Sequence, residues 1–144
     1  MSRARFRGLT LHRPWAAAIV HGDKRVENRT WVPPATLTRR GLWLAIHAGK
    51  TYDPDGAESV LGILGRLPPR HDACGIIGVA RYVDAVRPEE REDDPWAVGP
   101  WCWILDDVRV VEPAIQVRGS MGLWAAEDLR RKLAPLIPEG TVTG

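Results

Sequence analysis

Apolar positions fall in short blocks whose period changes along the chain. RGLTL (7–11) reads as a short strand. RPWAAAIVHG (13–22) reads as a helix: Pro14 suits the first helical position, Trp15, Ala18 and Ile19 share a face, and Gly22 suits the stop. KRVENRTW (24–31) alternates, with Glu27, Arg29 and Trp31 on one side of a strand and Val26, Asn28 and Thr30 on the other. Lys24 has the wrong parity for the Glu27 side and can join it only from the turn or across a bulge.

VPPATLTRRG (32–41) reads as a loop. LWLAIHAG (42–49) is a strand, with Leu42, Leu44 and Ile46 on one face and Trp43, Ala45 and His47 on the other. DPDGAESVLGILGRL (53–67) predicts a helix capped by Asp53, with Pro54 in its first turn and a stripe of Ala57, Val60, Leu61 and Leu64. CGIIGVARYVDAV (74–86) is a long apolar strand whose two glycines suit a curved wall. WCWILDDVRVVEPAIQV (101–117) is one bent strand or two, broken near Asp106–Asp107 and near Pro113. RGSMGLW (118–124) is a turn leading into a helix over about 124–133, with Trp124, Leu129 and Leu133 inward. About six strands and about three helices without a βαβ rhythm predict an α+β fold, a small mixed β-barrel with flanking helices.

Composition sharpens this only in places. The chain has 144 residues, 44% hydrophobic and 26% charged, enough for one domain with a core. Residues 1–8 form a basic N-terminal segment, 9–135 the domain and 136–144 a tail, loose over PEGTVTG (138–144). The net charge of +2 argues little, but its distribution is uneven. The first 50 residues hold ten of the basic side chains and only Asp23 and Glu27 as acids, whereas acids cluster in RPEEREDD (87–94). A basic half suits a polyanion, and the acidic loop is expected to lie away from the surface that binds it. Cys74 and Cys102 are two and far apart, without metal-ligand spacing, so they read as thiols; neither a metal nor a cofactor is expected. The chain has no apolar run near the ~20 residues that span a bilayer, and no h-region follows MSRARFRG. No membrane partner is expected, and the location is read as cytoplasmic.

The stretches LTLHRPWAAAIVHGDKRVENRTW, RGLWLAIHAGK, GIIGVARYVD and GPWCWILDDVRVVEPAIQVRGSMGLW together resemble the ASCH (activating signal cointegrator homology) family, over residues 9 to 124. Gly22, Lys24, Glu27 and Arg29 stand at the spacing of that family's Gly-x-Lys-x-x-Glu-x-Arg signature, supported by RPWA, IHAGK and GLW. The resemblance implies a PUA-like barrel and a cleft beside the signature that binds RNA or DNA. Some members are nucleic-acid-binding coactivator modules, some ribonucleases, and some amidohydrolases of acetylated cytidine. Fold does not choose among these. The amidohydrolases carry a threonine three residues after the lysine, where this chain has Glu27. Arg13 stands where many relatives have glutamine, and it adds a cation at the helix start.

Lys24, Glu27 and Arg29 are either a strand ion pair, worth at most about 1 kcal/mol if exposed, or a cleft in which Glu27 orients two cations toward a phosphate or base edge. The resemblance favours the cleft. A general-base role for Lys24 needs a neutral amine, and a nearby Glu27 favours the ammonium instead. Arg13, Lys24, Arg29 and Lys50 are candidate contacts to single-stranded or modified nucleic acid, RNA before DNA. Trp15 and Trp31 are candidate stacking residues, Trp31 the better placed at the strand exit, whereas Trp43, Trp103 and Trp124 suit the core. Arg118 and Ser120 lie in a glycine-rich turn before the predicted last helix, and that turn resembles an anion site. A metal-independent hydrolase using Lys24, Glu27 and His47 is the alternative, and a protein-interaction module needs no cleft at all.

Overall fold

One mixed sheet organises the chain, its six strands in the order β2-β5-β4-β3-β1-β6. The structure, a computed structural model, describes residues 4–137. In chain order the elements are β1 (Arg5–Arg13), α1 (Trp15–Val20), β2 (Val26–Arg29), α2 (Ala35–Thr38), β3 (Leu42–Tyr52), α3 (Pro54–Leu64), β4 (Gly75–Val86), β5 (Trp101–Ile115), β6 (Leu123–Ala125) and α4 (Arg130–Leu133). Short 3-10 turns add Pro88–Arg91, Glu127–Leu129 and Ala134–Leu136. β1 and β3 are parallel and every other pairing is antiparallel. The α+β class and the number of strands are as the pattern predicts, though not the place of the sixth.

The sheet curls but does not close. Leu9 and Leu11 of β1 share a core with Leu42, Leu44 and Ile46 of β3 and with Trp103 and Leu105 of β5. Yet β2 and β6 are the sheet's two ends, and no ladder joins β1 to β2. The small residues of α1 let it sit across one end of the curl, burying Ala16, Ala17, Ile19 and Val20 in the same core. On β4, Gly78 accommodates that helix, since a Cβ there would lie 2.6 Å from Val20. β3 is central and buried on both faces: Trp43 and Ala45 pack in a second core with Phe6, Val79, Leu129 and Leu133.

Several sequence readings need correction. Residues 101–115 form a single strand. The expected breaks are bulges, where β4 skips register at Val79/Arg81 and at Ile76/Gly78 and Asp107 takes a φ of 45°. The sixth strand is instead Leu123–Ala125, inside the predicted final helix. β1 leaves an edge free at Arg7–Leu9, and Gly8 has no side chain, so Trp124 lies over it and the segment pairs there. Leu129 and Leu133 still face inward, whereas Trp124 is half-buried. Loop 32–41 contains the short α2. On α3 the cap Asp53 accepts from the Gly56 amide at 2.9 Å, as predicted, but of the stripe only Val60 is fully buried and Leu61 is exposed. The tail 138–144 lies outside the described residues. No helix among the described residues is long and apolar enough to cross a membrane. Cys74 and Cys102 are free thiols, and burial pushes the Cys102 thiol up from its ordinary range.

Two glycines make opposite predictions. A Cβ on Gly8 would sit 2.2 Å from the Trp124 ring, so Gly8→Ala should cost about 1–3 kcal/mol in urea unfolding. Gly62, in α3, has open space around it, so Gly62→Ala should stabilise by up to about 1 kcal/mol. Equal effects of the two substitutions would contradict this packing.

Candidate functional site

The turn from α1 to β2 is tied by backbone and side chain together. The Lys24 amide donates to Ala18 O at 3.1 Å. The Arg25 guanidinium donates from Nη1 to the carbonyls of Ile19, Gly22 and Lys24, satisfying the end of α1. This bend turns the Lys24 side chain back onto β2. Its Nζ donates to Val26 O and, at 3.2 Å, to Glu27 Oε1. Arg29 Nε donates to the other oxygen, Glu27 Oε2, at 2.9 Å. Lys24 is 2% exposed and Glu27 8%, so this is a buried, two-cation, one-anion group rather than a surface pair.

Alternation explains how β2 serves two surfaces. Val26 and Asn28 face away from the triad: Val26 packs in a third core with Ala18, Trp96, Cys102 and Ile104. Asn28 Nδ2 donates to Trp96 O, and its Oδ1 accepts from the amides of Val98 and Gly99. The Trp96 indole donates to Asp23. The acidic loop is thus latched to the back of β2, next to the site in space but on the strand's other face.

A cleft of about 340 Å³ opens where β1 and β2 fail to pair, lined by Thr10, Leu11, His12, Trp15, Lys24, Glu27, Asn28 and Arg29. A long contact of 3.5 Å from Arg29 Nη2 to Thr10 O is a direct bridge across the seam. Trp15 forms a wall, its ring 5.5 Å from Lys24 Nζ. Its indole donates to Asp53 Oδ2 at 3.0 Å, so the cap of α3 also orients this wall. The Gly56 amide and then the Trp15 indole hold the Asp53 carboxyl below its ordinary value.

The structure brings together four of the sequence candidates, Trp15, Lys24, Glu27 and Arg29. Trp31 instead packs edge-on against Trp103 at 4.9 Å and accepts the Trp103 indole proton on its carbonyl. Arg13 donates to the carbonyls of Lys50 and Asp72 and lies over Tyr52, which commits its guanidinium to the β3 end; the Lys50 side chain is exposed. His47 does not line the cleft. Its Nε2 meets Val117 O at 2.9 Å and its Nδ1 meets Thr10 Oγ1 at 3.0 Å, while Trp124 Nε1 donates to the same oxygen. A neutral ring with its proton on Nε2 satisfies every one of these groups. Arg118 and Ser120 are exposed and flank Gly119, which nests against Thr10. The turn they occupy leads into β6 rather than a helix, so the anion-site resemblance lacks its helix. The spacing did not reveal Thr10 or His12 as lining of the cleft, nor Asp53 as the residue that orients Trp15. Asp53 was legible as a cap, but its second bond, to Trp15, depends on a contact between residues 38 apart. Among the described residues no group of three His, Cys, Asp or Glu side chains is placed to hold a metal.

Glu27→Ala leaves the Lys24 ammonium buried without its carboxylate, so it should cost about 3–5 kcal/mol in urea unfolding. Arg29→Ala, at a side chain 23% exposed, should cost about 1 kcal/mol. A Glu27→Ala protein as stable as Arg29→Ala would refute the buried triad. The depressed Asp53 value stabilises the fold above the unfolded-state value and loses that effect as pH falls through the folded one. The Tm advantage of the wild type over Asp53→Ala should therefore shrink below about pH 4, and an advantage that stays constant down to pH 2 would contradict it.

The residues that build this cleft fall within a longer match. The sequence profile of the ASCH domain matches residues 9–119. Activating signal cointegrator 1 from Homo sapiens is 48% identical over 50 residues, 35% of this chain and 8% of that protein. Its counterpart from Mus musculus is 46% identical over 46 residues, 32% of this chain and 7% of that protein. The chain spans less than a tenth of these relatives' length. The profile, by contrast, runs from β1 through the triad, β3, β4 and β5, and on that extent the chain belongs to the ASCH domain family, with its PUA-like α+β fold.

Proposed function

We propose that this domain binds nucleic acid, single-stranded RNA in preference to DNA, in the cleft between β1 and β2. The observation that carries the reading is the convergence of Lys24, Glu27 and Arg29 with the Trp15 wall in one opening of an ASCH domain. A carboxylate that fixes a guanidinium in a cleft also lined by an indole offers hydrogen bonds and a stacking surface together. The seam admits one strand or a base turned out of a stack. Arg29 and Trp15 meet the ligand; Lys24 acts by holding Glu27, and Glu27 by aiming Arg29. Lys50, Arg118 and Ser120 lie outside the cleft and serve as backbone contacts, the last two beside Gly119 on Thr10.

The hydrolase alternative draws less support from the geometry. Lys24 is committed to Glu27 and a backbone carbonyl, and His47 is satisfied away from the cleft.

A fluorescent single-stranded RNA should bind with an affinity that falls as salt rises. A duplex of the same sequence should bind more weakly. Arg29→Ala should weaken single-strand binding about tenfold. Absence of salt-dependent binding to any RNA or DNA would sink the proposal, and steady cleavage of the RNA would move the domain to the hydrolase class.

A further inference from the structure

The donors and acceptors of the cleft select a class of ligand group, an inference that rests on the nucleic-acid reading. Lys24 Nζ has three N–H donors. One meets Val26 O and one Glu27 Oε1, and the ammonium lies over the Trp15 ring, 5.5 Å from its centroid. Arg29 spends Nε on Glu27 Oε2 and makes one long contact from Nη2. Among the described residues its Nη1 has no partner, and it is not among the buried unpartnered atoms. The open end of the Arg29 fork is therefore the free charged donor that the triad presents.

The charge balance leaves a phosphate only a weakened attraction at that fork. Two cations and one carboxylate leave a single net positive charge, and the carboxylate touches both cations. A phosphate at the fork would lie close to Glu27, and its charge would face that repulsion in a partly desolvated site. A neutral group with two adjacent acceptors meets the same fork without the repulsion, and a ring can rest on Trp15. Of the other cations that sequence proposed, Arg13 does not line the cleft: it gives Nη1 and Nη2 to backbone carbonyls, and its Nε is buried without a partner.

We propose that the cleft reads one base through a paired-acceptor edge, of the kind formed by guanine O6 and N7, held by the Arg29 fork in the cleft that Trp15 also lines, and that phosphates stay outside. Adenine presents a donor beside its N7 and would set N–H against N–H.

The test is competition against a bound fluorescent single-stranded RNA by guanosine, 7-deazaguanosine, adenosine and ribose 5-phosphate. Guanosine should displace the RNA, 7-deazaguanosine and adenosine about tenfold less well, and ribose 5-phosphate at the same concentration not at all. Arg29→Gln should lower RNA affinity while leaving the slope of log K against log salt unchanged; a phosphate contact there would reduce that slope by about 0.7. Displacement by ribose 5-phosphate as good as by guanosine, equal potency of the three nucleosides, or the reduced slope overturns the inference. If RNA binds and no nucleoside competes, the inference fails and the nucleic-acid reading stands. If no RNA or DNA binds, both fail. The nucleoside series uses the wild-type protein and decides the matter even if the variant does not fold.

Discussion

Glu27 is a carboxylate inside the protein, held there by a cation on each of its oxygens. Burying it alone would be prohibitive; Lys24 compensates its charge in the interior, and Arg29 engages its second oxygen from the partly exposed side. The arrangement also solves a second difficulty. β2 ends the sheet, so its outer edge has no ladder. Lys24 caps one carbonyl of that strand, at Val26, and Arg29 reaches across to Thr10 on β1. Side chains thus do across the seam part of what a strand pairing would do in a closed barrel, and the gap they span is the cleft.

The surrounding structure serves to hold this seam at one width. α1 packs against the inner core and delivers the turn, and Arg25 binds that turn's carbonyls so that Lys24 can point only back. Behind β2, Asn28 fastens the acidic loop and keeps its charges on the far face. On the β1 side, Trp124 over Gly8 and the His47–Thr10 bond anchor the strand. Asp53 sets the Trp15 wall from α3. A ligand entering the cleft meets fixed donors that need little rearrangement, which lowers the ordering cost of binding.

Period and parity made much of this legible. Alternation over residues 26–31 separated Glu27 and Arg29 from Val26 and Asn28, and it limited Lys24 to joining from the turn, where it is found. Asp53 and Pro54 marked the start of α3. Tertiary contacts hid the rest. Residues 123–125 follow helical spacing weakly, and a free edge on β1 captured them as a strand. The strand parity ranked Trp31 above Trp15 for stacking, and the structure reverses that order, because Trp31 meets Trp103 while Trp15 lines the cleft. His47 lies on the next strand in sequence after the signature, but its bonds run to Val117 and Thr10, contacts no local pattern encodes. Sheet closure is also nonlocal, and the open seam follows from which strand edges remain unpaired.

The central claim is that the unpaired seam between β1 and β2 is where nucleic acid sits. Photo-crosslinking a single-stranded RNA carrying one thio-substituted base, with the adducts mapped by mass spectrometry, tests it most directly. Adducts in the peptides that contain residues 10–15 and 24–29 are the predicted result. Adducts confined to the opposite face of the sheet or to the acidic loop at 87–96, with none in those two peptides, would contradict it.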